Sequence, residues 1–154
     1  MQAPPHALTT NGRISDELKG RGDPEEELRR RLKLLDGDER FSLSLWRLPD
    51  SIPFDKVDLE AWPQYYIQAA GSADRMIVEV RSEADGVARQ FAVGRKSSDV
   101  NHGSAAKEKI VWNGQDHAAV LNEIFSAAEA ADLFVNYYKN GQVPESYSLR
   151  LLLI

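Results

Sequence analysis

The chain has 154 residues, a formal net charge of −5 and no cysteine. That length fits one domain, which buries roughly two-thirds of the surface its unfolded chain would expose. The missing cysteine excludes a disulfide framework, a thiolate metal site, an iron–sulfur cluster and a cysteine nucleophile, while the mild, scattered acidity argues against a general nucleic-acid binder, which needs a concentrated basic face.

Residues 1–22 are rich in Pro, Thr, Gly and charge and offer few side chains to hold them to a core, so they read as a flexible leader. Asp23-Pro24-Glu25-Glu26 then supplies an N-cap, a proline at the first helical position and acids beside the positive helix end, which predicts a helix over 24–35. Leu28, Leu32 and Leu35 mark its buried stripe. Glu25, Glu26 and Glu27 stand four residues before Arg29, Arg30 and Arg31, so this basic run reads as a salt-bridged solvent face rather than a nucleic-acid or membrane patch. Residues 41–48 alternate apolar and polar with period two, the pattern of a strand with one buried face, toward which Phe41, Leu43 and Leu45 point. The stretch 49–63 is broken by three prolines and carries Asp50, Asp55, Asp58 and Glu60; it reads as a surface connection with room for a short turn of helix.

Strands follow at 65–70, 76–81 and 87–93, the last two joined by the hairpin signal Asp85-Gly86. Shorter strands at 109–112 and 117–121 complete an antiparallel sheet of about five or six strands. Between them lies a long loop, 94–106, of a length that is usually functional or disordered. Ser126 and Glu129 have the spacing of a capping box and predict a helix from Ala127, with Ala130, Leu133, Phe134, Tyr137 and Tyr138 on one apolar stripe. Asn140-Gly141 stops it, Pro144 forbids a restart, and 147–154 reads as a last strand. The expectation is an α+β fold: one domain over 23–154, with a helix at each end of the sequence around the sheet.

Little in the sequence looks catalytic. Ser97, Ser98, Asp99, His102 and Ser104 share the long loop, but a nucleophile must be held within reach of an oriented base, which rigid elements supply and a Gly/Ser-rich loop seldom does. No G-x-S-x-G elbow and no glycine-rich phosphate cradle is present, and His6, His102 and His117 lie in unrelated settings, so neither metal nor cofactor is expected. Trp46 and Trp112 read as core aromatics. Trp62, within the acidic connection, is the better contact anchor, and the acids Asp55, Asp58 and Glu60 are either solvated or a negative patch offered to a basic partner.

Two stretches carry a resemblance. Residues 64–73, continuing through Val78-Glu79-Val80-Arg81 to Phe91-Ala92-Val93-Gly94-Arg95, resemble the central hairpins of actinobacterial immunity proteins that neutralise secreted polymorphic toxins. Asn122-Glu123-Ile124-Phe125, Tyr137-Tyr138-Lys139-Asn140-Gly141, Pro144 and Leu149-Arg150 resemble their C-terminal helix and strand. The similarity is to the first of the named immunity-protein families and to the antitoxin of the mycobacterial NAD-glycohydrolase toxin, and it covers about half the chain.

The resemblance implies a non-enzymatic, cytoplasmic inhibitor. It would be a monomer that forms a heterodimer with a toxin domain and blocks its active site; the acidity and the short apolar runs of the chain argue separately against a nucleic-acid or membrane partner. The expected contacts are Arg95, Lys96, Asp99, His102 and Lys107 around the long loop, with Trp62. The alternative is a secretion chaperone or adaptor that holds an effector protein.

Overall fold

Among the described residues, three hairpins turn at an Asn-Gly or Asp-Gly pair. Asn11-Gly12, Asp85-Gly86 and Asn113-Gly114 all take left-handed backbone, with φ between +52° and +76°, the conformation that tight hairpins of twisted strands require. The computed structural model describes residues 5–18, 23–49, 52–58, 65–96 and 107–152. The first pair joins β1 (His6–Thr10) to β2 (Ile14–Leu18), the second joins β5 (Met76–Ala84) to β6 (Val87–Arg95), and the third joins β7 (Lys107–Trp112) to β8 (Gln115–Val120). With β3 (Ser42–Arg47), β4 (Tyr66–Gly71) and β9 (Tyr147–Leu152), the first two hairpins build a seven-stranded sheet in the order β2-β1-β3-β4-β5-β6-β9, antiparallel throughout. The β7–β8 hairpin forms a separate two-stranded sheet.

Two helices cover one face of the large sheet. α1 (Pro24–Lys33) starts as expected, with the Asp23 side chain accepting from the Glu25 amide and proline in the first turn. α2 (Ala127–Asn140) carries the full capping box between Ser126 and Glu129 and ends at Gly141, φ +74°. The ion pairs Arg29–Asp132 and Lys139–Glu25 lay the two helices antiparallel. Beneath them Leu28, Leu32, Leu133 and Phe134 pack on Leu8, Leu43, Leu45, Ile67, Met76 and Val93, all fully or almost fully buried.

The opposite face is covered in two places. Near β1 and β3, Phe54 and Val57 of the 52–58 segment, which includes a single helical turn at Phe54–Lys56, pack over Ala7, Trp46, Leu48 and Tyr66. Nearer β5, the β7–β8 hairpin sets Ile110 and Ala119 against Ile77. Its turn is pinned by the Asn113 amide donating to the Gly37 carbonyl at 2.8 Å and its flank by the Arg75–Glu108 ion pair. Among the described residues no helix is long and apolar enough to cross a membrane.

The α+β class stands, and three expectations change. The supposed leader is part of the fold: residues 6–18 form β1 and β2, β1 lies between β2 and β3, and Ala7 and Leu8 are fully buried. His6 is buried too, its ring 4.7 Å from that of Tyr138 on α2. Composition misleads here because five residues of a central strand need only alternate small and apolar side chains to be held by ladder hydrogen bonds on both sides. Both helices are consequently interior to the chain order, with strands before α1 and after α2. Second, β3 is buried on both faces, Ser42 and Ser44 included, and on the face that period-two alternation assigned to solvent the 52–58 segment packs over Trp46. Third, β7 and β8 leave the main sheet, which reaches seven strands without them.

Candidate functional site

Arg95 closes β6 and faces inward. Its guanidinium donates to Glu129 Oε2 at 2.5 and 3.2 Å and lies 4.6 Å from the centre of the Phe125 ring. Its carbonyl accepts from the Asn122 side-chain amide at 3.1 Å. Glu129 is thereby used twice, since its other oxygen accepts from the Ser126 amide at the start of α2. The Arg95 hydrogen bonds, followed by the Ser126 amide, hold the Glu129 carboxyl below its ordinary range. Arg95 is a clamp between the end of β6 and the beginning of α2, with its charge already partnered.

Lys96 follows, exposed. Lys107 is exposed at the start of β7 and pairs across its hairpin with Val120. The next residue, Leu121, offers its carbonyl to Arg95 Nη1 at 3.5 Å, so Arg95 and Lys107 share one corner of the molecule. Asp99, His102 and Trp62 lie outside the described residues, as do Ser97, Ser98 and Ser104. His117 stacks on Trp112 with ring centroids 3.4 Å apart. Among the described residues no group of three or more His, Asp and Glu is arranged to hold a metal ion.

A second feature was not legible in the sequence. Ser15, Asp16, Glu17 and Leu18 of β2, Glu27 and Arg31 of α1, and Pro53, Phe54 and Asp55 line one cavity of about 700 Å³. Among the described residues, four carboxylates and one guanidinium therefore line it. Arg31 is taken up internally: it reaches Asp16 at 2.5 Å and Glu27 at 2.8 Å, and Glu27 also receives Arg30 at 2.6 Å. Hydrogen bonds from Arg30 hold the Glu27 carboxyl below its ordinary range, helped by those from Arg31 against the opposing effect of burial. Glu17 and Asp55 have no ion-pair partner among the described residues. Asp55 was expected as part of an acidic surface; the fold sets it beside acids from the stretch read as a leader. The available signal was Asn11-Gly12, which marks a hairpin on the same grounds as Asp85-Gly86.

These ion pairs set the acid response of the fold. A carboxylate whose folded value is depressed contributes stability that is complete above its unfolded value and is lost as pH falls through the folded one. For Glu27 and Glu129 that loss begins below about 4.5, the ordinary value. The melting temperature is expected to be level from pH 7 to 5 and to drop below 4.5, with Glu129→Gln giving a shallower acid limb. An equally steep limb in that variant would remove Glu129 from the account. Arg95→Ala should cost about 1 kcal/mol through the lost clamp, a value suited to a half-exposed pair, read as a melting shift of a few degrees.

Comparison with protein-family models, with curated proteins and with solved structures finds no match for this chain.

Proposed function

We propose that this protein is an immunity protein: a non-catalytic inhibitor that binds a cognate toxin domain and blocks its active site in the producing cell. The observation that carries the reading is the acidic slot along β2, a concave surface where, among the described residues, Glu17 and Asp55 have no ion-pair partner, suited to recognising another protein's basic surface. The stretches that resemble immunity proteins fall on β4, β5, β6, α2 and β9. The corner where Lys96 and Lys107 stand exposed beside the Arg95 clamp is the second contact region in this reading.

One escaped toxin turns over repeatedly, so such an inhibitor needs nanomolar affinity, roughly −12 kcal/mol. A rigid, preformed surface lowers the ordering cost of reaching it. A secretion chaperone that held its client on helix faces is less well served by this fold, because the apolar stripes of α1 and α2 are buried in the core.

The decisive experiment pairs the purified chain with the toxin encoded by the adjacent gene. The expected outcome is a one-to-one complex in which the toxin loses its catalytic activity. A toxin that stays active at saturation, or a chain that turns over a substrate alone, overturns the proposal.

A further inference from the structure

We infer that β2 is a docking edge, and that a basic, extended segment of the partner protein adds to the sheet alongside Ile14–Leu18. The nature of the partner rests on the immunity reading above; the mode of binding rests on geometry alone.

β2 is the terminal strand of the large sheet and, among the described residues, pairs only with β1. An edge strand presents backbone N–H and C=O groups with no ladder partner. Four successive residues, Ser15 to Leu18, line the cavity. Successive side chains of a strand point to opposite faces, so a space lined by all four must run along the edge itself. The pairing confirms the alternation: Asp16 sits opposite Leu8, under the helices, while Ser15 and Glu17 sit opposite Thr9 and Ala7, on the face that also bears Trp46. α1 supplies one wall through Glu27 and Arg31, and Pro53-Phe54-Asp55 supplies the other. The result is a slot with an open strand edge between two walls, the shape in which an extended peptide is recognised by adding a strand.

Charge selects the occupant. On the helix side Asp16 and Glu27 are already taken up by Arg31 and Arg30, whereas Glu17 and Asp55 on the other side have no ion-pair partner among the described residues, so side chains of an added strand that project to that side would meet unpaired acids. Lysines and arginines fit. A second copy of β2 would bring Asp16 and Glu17 against their own kind, which like-charge repulsion opposes. Leu18 and Phe54 add apolar contact at one end.

The test titrates the isotopically labelled full chain with three octapeptides: one rich in lysine and valine, its glutamate counterpart, and the lysine peptide N-methylated at every central amide. NMR shifts centred on residues 14–18, with slowed exchange of the outward-facing β2 amides, are expected for the first peptide. The glutamate peptide should not bind. The N-methylated peptide, with charge intact and its ladder removed, should bind at least tenfold more weakly. The double variant Glu17→Lys with Asp55→Lys should weaken the lysine peptide at least tenfold while melting within a few degrees of the parent.

Equal binding of the methylated peptide overturns strand addition, as do shifts centred elsewhere or outward-facing β2 amides already protected in the free protein. The two proposals fail separately. A toxin neutralised equally well by the double variant sinks the docking edge and leaves immunity standing; peptide capture in the slot without any toxin inhibition does the reverse.

Discussion

Leu8→Ala is expected to destabilise the protein by about 2–5 kcal/mol, the range for truncating a fully buried leucine, and to lower its melting temperature by roughly 5–20 °C for a domain of this size. Leu8 has no exposed surface and belongs to the main core with Leu43 and Leu45 of β3 and with Leu28 and Leu32 of α1. Its strand is hydrogen-bonded on both sides, so the residue cannot swing aside to fill the space left behind. Ile14→Ala is the control: that side chain is in the same hairpin but 65 % exposed, and its loss should cost within about 0.5 kcal/mol. If both variants melt with the parent, the first 22 residues are a leader after all. Deleting them is expected to do far more than either substitution. It would strip β3 of its neighbour, remove Asp16 from Arg31, and expose Trp46 and Leu45 at a new edge.

Gly71→Ala is expected to cost about 3–5 kcal/mol, a magnitude reserved for substitutions that force the backbone to move. Gly71 has φ +132°, and a Cβ there would lie 2.4 Å from the Arg75 carbonyl oxygen and 2.9 Å from the Met76 Cα. Both obstacles are backbone and cannot rotate away. They belong to the turn that ties the two layers together. Within it Ser72 and Arg75 exchange backbone hydrogen bonds, the Ala73 amide donates to the Leu35 carbonyl, and the Ala127 amide at the head of α2 donates to the Ala73 carbonyl. Displacing the turn therefore loosens the end of α1 and the beginning of α2 together. Gly114→Ala is the comparison, since it also has positive φ, +72°, but its Cβ would meet nothing within 4 Å. That variant should show the conformational cost alone, about 1–2 kcal/mol. Thermal melts of the pair separate the two effects, and equal losses would mean that the crowding at Gly71 is relieved elsewhere.

An alkaline titration reads the same packing from another side. Burial pushes the Tyr137 hydroxyl up to about 12, and burial is also the main cause that raises Tyr66. A group that holds its proton more tightly when folded contributes stability below its unfolded value, near 10, and that stability is lost as pH rises toward the folded value. The tyrosinate absorbance should therefore include a late component above pH 11 that moves to near pH 10 in denaturant. Its absence in the native protein would place Tyr137 outside the core.

Local chemistry in the sequence determined the elements whose signals are local. Asp23-Pro24 and Ser126 with Glu129 wrote the helix starts, Asn140-Gly141 wrote a helix stop, and Asp85-Gly86 wrote a hairpin, because caps and tight turns are satisfied within a few residues. The helical apolar stripes were legible for the same reason: Leu28, Leu32, Leu133, Phe134 and Tyr137 are buried where the 3.6-residue period puts them. Tertiary structure alone decided what depends on meetings between distant segments. A short stretch such as His6–Thr10 becomes a buried strand only when β3 is available beside it, and Trp46 on the outer face of β3 is covered because Phe54 and Val57 come to lie over it. The slot is of that second kind. Its acids come from β2, α1 and the 52–58 segment, each an unremarkable solvated charge in its own neighbourhood, and they form one recognition surface because the edge of the sheet, the helix above it and the segment below it converge there.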